Sequence, residues 1–297
     1  MIKNQNQAYK YALIAIFFWS TVATAFKVSL QYLSPSELVL YSSLFSSIVL
    51  WLIIFYQKKI NDVKIHIINN YKLVFILGLI NPFLYYLVLF KAYDLLPAQE
   101  AQAINYTWAL MLAFLSVIFL KQKLTFKDIL AGIICYFGVL IISTKGEPFS
   151  LNFSNIDGVI LALLSTVLWS MYWIINTKQK ADPIVGLFSN FLVSIPIVII
   201  YFLITQPLVL PDIKGILAAS YVGLFEMGIT FFFWLKAMQS ATSTSKIANL
   251  IFISPFISLI FIYFIVGEQI YISTIFGLII IILGLILQQF KSSKKNP

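Results

Sequence analysis

Glu226 is the residue with the most evident chemical potential, because no other Asp, Glu, Lys, Arg or His occurs between Gly215 and Leu235. The apolar run around it is long enough to cross the hydrocarbon core of a bilayer as a helix, with Glu226 near the centre. Inserting a charged side chain such as Asp or Lys at that depth costs about 2.5–3.5 kcal/mol. Such residues therefore face a bundle interior or a wet cavity, where partners offset the cost.

The predicted helix face that carries Glu226 is small and weakly polar. An ideal helix places Ala219, Gly223 and Thr230 on this face and points Phe231 elsewhere. A stripe of this kind around one carboxyl group fits a packed or water-lined interior better than lipid. We therefore consider two roles for Glu226: a group that gains and loses a proton in function, or a permanently protonated hydrogen-bond donor between helices.

The composition of the chain is that of a polytopic membrane protein. Of its 297 residues, 61% are hydrophobic and 10% are charged, and the mean hydropathy is +0.94. Soluble domains have about 45–50% apolar and about 25% charged residues. We predict an all-α integral membrane fold of ten transmembrane helices. These lie at residues 9–32, 36–56, 71–93, 98–120, 127–144, 156–178, 184–205, 213–237, 241–265 and 270–290.

Lysine placement predicts the orientation of this bundle. All 20 basic residues are lysines, and the net charge is +9. With the N-terminus in the cytoplasm, only Lys27, Lys91, Lys145 and Lys214 fall on the outer side. The positive-inside rule then puts both termini in the cytoplasm, as an even number of helices requires. Because the charge follows the membrane, we predict a lipid partner and no nucleic acid.

Two halves of the chain show traces of an internal repeat across the polar segment 144–155. Each half has an odd number of predicted helices, so the second copy must cross the membrane in the opposite sense. We therefore predict two inverted five-helix repeats, at 1–146 and 155–292, around a central cavity within a single membrane domain. The matches are Phe18-Trp19-Ser20 with Leu168-Trp169-Ser170, Phe90-Lys91-Ala92 with Leu235-Lys236-Ala237, and Gly132 with Gly277.

The second and third of these matches share an offset of 145 residues. That offset also relates Asn81 to Glu226, and both lie near the centres of their predicted helices. Pro82 follows Asn81, removes a backbone hydrogen bond and can free carbonyl groups toward a cavity. Two interpretations stay open. Asn81 and Glu226 are either a symmetry-related pair of binding residues, or a packing kink and an interhelical hydrogen-bond donor.

Short motifs in both halves resemble a known family. The first half carries Phe18-Trp19-Ser20-Thr21, Ile104-Asn105-Tyr106-Thr107-Trp108 and Gly132, and the second carries Ser254-Pro255-Phe256, Gly267-Glu268 and Gly277. Their order and spacing resemble the drug/metabolite transporter superfamily, in particular its ten-helix EamA-type members. The resemblance implies a multi-pass carrier of the bacterial cytoplasmic membrane that exports small metabolites through a cavity open to each side in turn.

The Asn-Tyr-Thr-Trp segment at residues 105–108 is also similar to a segment of the aromatic amino acid exporters of that superfamily. Two features depart from their pattern, since Ala109 replaces a proline and Lys123 replaces a glutamate. The second half keeps both features, as Pro255 and Glu268. Amino acids are therefore one class of small polar metabolite that the resemblance suggests.

Polar and aromatic residues of the central helices are the candidate binding residues. Amides, one carboxyl group and indole rings suit a small zwitterionic or heteroaromatic solute. For Lys246, solute binding and snorkelling to head groups stay equally open. The candidates for substrate binding are Trp19, Asn81, Gln102, Asn105, Trp108, Trp169, Glu226, Lys246 and Asn249, with Glu226 also the candidate for proton coupling.

Other function classes fit the sequence less well. Cys135 is the single cysteine, which excludes an intramolecular disulfide and a thiolate cluster, and we predict no metal and no cofactor. The longest predicted loop, residues 57–70, holds one Asp and one His, and we interpret this His66 as solvated. The sequence shows no nucleophile–base set. We therefore predict that the protein is not an enzyme. A channel would need repeated filter motifs, which the sequence lacks. Monomer and homodimer both stay open.

Overall fold

A computed structural model describes residues 4–121, 126–150, 153–242, 247 and 250–289, and this part of the chain is helical with no strand. Its helices are α1 (Gln5–Leu30), α2 (Pro35–Tyr56), α3 (Ile60–Asn69), α4 (Tyr71–Leu95), α5 (Ala98–Leu120), α6 (Phe126–Ser143), α7 (Ile156–Asn176), α8 (Pro183–Thr205), α9 (Ile213–Ser240), α10 (Leu250–Val266) and α11 (Ile272–Gln289).

Eight helices of the described residues, α1, α2 and α4–α9, are long and apolar enough to cross a membrane. The apolar helices α10 and α11 are shorter. Predicted and observed boundaries agree within a few residues except at α10, which we expected to begin at residue 241. Ala241 has extended backbone angles, φ −67° and ψ 135°, so α9 ends at Ser240. The described part of α10 begins at Leu250.

Polar side chains cap the helices where the chain turns. Ser34 accepts a hydrogen bond from the backbone N–H of Glu37, and the Glu37 carboxylate accepts one from the Ser34 backbone. Asn155 and Asp212 cap α7 and α9 with their side-chain oxygens. These contacts satisfy the free N–H groups at helix starts, which are costly to leave unpaired near lipid.

Asp182 combines a cap with an ion pair. Its carboxylate accepts hydrogen bonds from the backbone N–H groups of Ile184 and Val185 and lies 2.7 Å from the ammonium of Lys59. Partial burial would raise the pKa of Asp182, but the hydrogen bond and charge of Lys59 and the two amides outweigh it and lower that pKa. The pair joins the start of α3 to the start of α8.

α3 corrects our expectation that residues 57–70 form a loop. It is a ten-residue helix that packs against α4 and α8 and buries Val63 and His66. Ile65 and Ile68 remain 57% and 62% exposed. The interpretation of His66 as solvated was wrong, because its side chain is 7% exposed and burial lowers its pKa. An exposed apolar face beside a buried one is typical of a helix that lies along a membrane interface.

The helices α4 and α9 are both interrupted near their midpoints. In α4, residues 79–84 form a π-helical segment in which Asn81 is extended, with φ −134° and ψ 115°. In α9, residues 222–226 are π-helical and Gly228 has non-helical angles of −121° and −92°. Such breaks release backbone groups from the helical hydrogen-bond pattern, and membranes tolerate them where they are buried in protein or line a cavity.

Glycines let these interrupted helices approach their neighbours closely. A Cβ atom at Gly78 of α4 would collide with the backbone carbonyl of Asn190 in α8. One at Gly223 of α9 would collide with the carbonyl of Ser42 in α2. The two contacts are made by glycines 145 residues apart. Elsewhere, α1 packs along α9, α7 packs along the second part of α4, and α6 packs along α11.

Gly78→Val should destabilise the protein, because the backbone carbonyl of Asn190 cannot move aside as a side chain can. Overpacking of this kind costs about 1–3 kcal/mol. Thermal unfolding in detergent should show a lower Tm than for the wild type. Ile76→Leu, at a position of the same helix that is 44% exposed, is the control and should leave the Tm unchanged. Equal Tm values for Gly78→Val and the control would contradict this packing.

Candidate functional site

A cavity of about 300 Å³ lies among α1, α4, α5, α7, α9, α10 and α11. Its wall is mainly aromatic, with two amides and one carboxyl group. Six of the nine candidate binding residues line it, namely Trp19, Gln102, Asn105, Trp108, Trp169 and Glu226. The sequence separates these residues by up to 207 positions, and the interrupted helices bring them to one place.

The other three candidates do not belong to this described wall. Asn81 is 2% exposed, is absent from the lining, and lies against the hydroxyl of Tyr172. Its extended backbone turns the side chain toward α7 and α8, where Asn190 contacts the same hydroxyl. Lys246 and Asn249 lie outside the described residues.

Glu226 is held by neutral donors. Its Oε1 atom accepts a hydrogen bond from the Tyr86 hydroxyl at 3.1 Å, and the indole N–H of Trp19 donates a second one. Ion pairs within the described residues are Lys59–Asp182 and Lys91–Asp94, and neither involves Glu226. The carboxyl group faces the cavity with hydrogen-bond partners from α1 and α4 and without a paired cation among these residues.

Trp169 is the centre of the aromatic wall. Its ring stacks on Tyr85 at 4.5 Å between centroids and on Tyr172 at 5.3 Å. It also contacts Trp108 and Phe231 at 6.5 and 6.3 Å. Aromatic pairs at these separations each contribute about 0.5–1.5 kcal/mol beyond area burial. The ring of Trp169 is therefore fixed in place and presents a preformed surface to the cavity.

Phe231 corrects the prediction from an ideal helix. We expected it to point away from Glu226, but it lines the cavity together with Glu226. Its ring centroid lies 5.7 Å from that of Trp19. The break at Gly228 lies between the two residues and changes the rotation of the helix. A uniform 100° per residue therefore does not apply across this segment.

Sequence reasoning missed several aromatic residues of the wall. Trp173 lies one turn after Trp169, so its spacing could have identified it. Tyr85 lies about one helical turn after Asn81, so its position next to the expected kink could also have identified it as a wall residue. Nothing in the local sequence singles out the rest. The residues missed are Phe26, Tyr85, Tyr93, Tyr106, Trp173, Trp234 and Phe252, together with Phe231.

Asn105 has partners on two other helices. Its Nδ2 atom donates to the Ser165 hydroxyl at 3.0 Å and lies 3.5 Å from the Tyr85 hydroxyl. α5 turns out of regular α-helix directly after it, at Tyr106 and Thr107. Asn105 therefore both joins α4, α5 and α7 and lines the cavity.

Asn105→Ala should weaken solute binding more than Ser165→Ala does. Both variants remove the hydrogen bond between the two residues, but only Asn105 lines the cavity. A neutral hydrogen bond to a solute contributes about 0.5–1.5 kcal/mol, so the additional loss of affinity should be about two- to tenfold. Titration of the purified variants with a transported solute measures it. If both variants weaken binding equally, Asn105 acts through helix packing.

The helices and the cavity together define a multi-pass membrane protein with an internal space for a small solute. A sequence profile of the EamA-like transporter family matches residues 6–144 and 156–288. The chain belongs to the EamA-like transporter family, and transport across a membrane is the general function of that family. This confirms the resemblance to EamA-type members of the drug/metabolite transporter superfamily.

Individual relatives are more distant. An uncharacterized transporter of Archaeoglobus fulgidus is 25% identical over 275 residues, covering 92% of this chain and 95% of that protein. The uncharacterized transporter YdfC of Bacillus subtilis is 22% identical, covering 95% and 91%. The aromatic amino acid exporter YddG of Ancylobacter novellus is 22% identical over 167 residues, covering 56% and 58%. A protein crystal structure at 18% identity shares the fold, with a TM-score of 0.68 and coverage of 96% and 97%.

Proposed function

We propose that the protein is a secondary transporter that exports small polar metabolites, with amino acids as one candidate class, from a bacterial cytoplasm. The observation that carries the proposal is the central cavity, where Glu226 faces a space of about 300 Å³. Ligand pockets of small molecules span about 300–1,000 Å³ and combine apolar walls with a few polar groups. The volume suits a solute with one ring system or an aliphatic group of similar size. The wall likewise combines apolar side chains with a few polar groups.

The proposal includes two inverted repeats, at 1–146 and 155–292. Support comes from pairs of features 145 residues apart: the helix interruptions near Asn81 and Glu226, and the close approaches at Gly78 and Gly223. The family profile also matches twice, once in each segment. In secondary transporters built from inverted repeats, the binding site lies between the repeats near the bilayer midplane.

Alternating access further requires an end of the bundle that can close, and polar contacts join two loops at one end. The Glu268 carboxylate accepts a hydrogen bond from the backbone N–H of Ala98 at 2.8 Å. Gln99 donates to the carbonyl oxygen of Gln269 and accepts from the Thr274 hydroxyl at 2.6 Å. These contacts tie the start of α5 to the start of α11. In the orientation that the lysines predict, this is the outer end.

Lys27 stabilises the same end in a way that the sequence did not indicate. Its ammonium donates to the carbonyl oxygens of Tyr93 and Leu96 at 2.9 and 3.0 Å, at the end of α4. The Glu100 carboxylate accepts from the Ser154 hydroxyl at 2.7 Å. A carrier that opens outward would have to separate such contacts.

Glu226 is our candidate for proton coupling. A carboxyl group that faces the cavity and is held by neutral donors can exist in either protonation state without breaking an ion pair among the described residues. We propose that it binds a proton on one side of the membrane and releases it on the other as the cavity changes access. The alternative role is a permanently protonated group that joins helices.

Glu226→Gln separates the two roles because it keeps the size of the side chain and fixes the neutral state. The variant should fold and perform saturable solute counterflow in proteoliposomes, but a pH gradient should no longer accelerate uptake or drive accumulation. Glu147→Gln, at an exposed position, is the matched control and should retain both. Full pH-driven accumulation by Glu226→Gln would show that Glu226 is a packing residue. A flux that does not saturate would instead favour a channel.

Topology tests the orientation and the repeat together. An epitope tag within residues 146–153, between the two halves, should be accessible to label from outside intact cells. A reporter fused after Pro297 should be active in the cytoplasm, because an even number of crossings returns the chain to that side. Labelling of the 146–153 tag only after permeabilisation would exclude five crossings in each half and with them the inverted repeat.

A further inference from the structure

The described wall of the cavity carries one acidic side chain and no basic one. Of the 20 described residues that line it, Glu226 is the only one with an acidic or basic side chain. The nearest described lysines along these helices have other contacts. Lys27 binds backbone carbonyls, Lys91 pairs with Asp94 at 2.7 Å, and Lys236 lies over the ring of Phe232 at 5.6 Å. None of them belongs to the described wall, so an ionised Glu226 receives no compensating charge from it.

The aromatic rings of the wall are suited to a positive charge. Five indoles line the cavity, and Trp19 both faces it and donates to Glu226. A cation within about 6 Å of an aromatic face is attracted to the ring, most strongly to Trp, and cages of such rings recognise ammonium groups. The indoles that line this cavity are Trp19, Trp108, Trp169, Trp173 and Trp234.

Hydrogen-bond donors of the wall are neutral. The amide of Gln102 lines the cavity, the amide nitrogen of Asn105 already donates to Ser165, and the indole N–H of Trp173 is buried without a partner among the described residues. Neutral donors can bind a hydroxyl, carbonyl or ring nitrogen of a solute. They do not neutralise a carboxylate, and a solute carboxylate in this small space would be repelled by Glu226.

We infer that the cavity selects organic monocations, amines with one aromatic or apolar body, over the corresponding zwitterionic amino acids. The ammonium group supplies the missing counter-charge to Glu226 and lies against the indoles, while the ring of the solute fills the remaining volume. The inference rests on the proposed transport function and narrows it to a substrate class. The inferred amine substrates differ from the corresponding amino acids by a single group, the carboxylate.

Two pairs of probes test it, because each pair differs by that carboxylate alone: tryptamine against tryptophan, and phenethylamine against phenylalanine. The full-length protein in proteoliposomes should give counterflow with both amines. Each amine should bind about tenfold more tightly than its amino acid, as expected for one favourable charge interaction beside aromatic faces. Glu226→Gln should abolish most of this preference, and Glu147→Gln should retain it.

Each alternative outcome has a defined meaning. Equal or tighter binding of tryptophan or phenylalanine would overturn the selection of amines and leave the transport function standing. If that binding were lost in Lys246→Gln, a lysine would be the group that holds the carboxylate. Absence of counterflow with all four probes would overturn the inference and argue against the proposed transport of small amines and amino acids alike.

Discussion

A carboxyl group in the middle of a membrane has to be surrounded by donors, and here the donors are neutral and come from separate helices. Tyr86 of α4 and Trp19 of α1 both reach Glu226 of α9. Side chains with an apolar body and a polar tip suit this task, because they donate a hydrogen bond without bringing a second charge into the membrane. The three helices are thereby connected at the depth where α4 and α9 are interrupted, and the cavity opens between them.

The interruptions are compatible with a membrane because neighbouring helices cover both of them, and the one in α9 also presents Glu226 to the cavity. An irregular segment exposed to lipid would leave backbone groups unpaired. Gly78 and Gly223 lie at or just before the irregular segments and let the backbones of α8 and α2 cover them directly. Close packing and irregular backbone therefore occur together in both helices.

The sequence predicted the helices better than it predicted the surroundings of the cavity, and the reason is physical. Bilayer thickness sets the length of an apolar run, so the spans can be predicted, and depth within a span identified Glu226. Phe231 was misplaced because helical periodicity fails across the break at Gly228. Such a break depends on contacts between helices that are distant in the sequence.

α3 was missed for a different reason. Its ten residues mix charged and aliphatic side chains, so a hydropathy window gives it no signal, and only the spacing of Ile60, Val63 and Ile67 indicates an amphipathic helix. The burial of His66 follows from that helix, since the imidazole lies on the face that packs against the bundle. A loop assignment based on composition alone therefore missed both features.

The placement of the tryptophans has a spectroscopic consequence. The chain has six of them, and all except Trp51, which is 46% exposed at the end of α2, line the cavity. Intrinsic fluorescence of the protein is thus dominated by chromophores that surround one small space. A molecule entering it changes the polarity around several emitters at once, so binding can be followed without a label. In a Trp51→Phe variant, all of the tryptophan emission would come from the five residues that line the cavity.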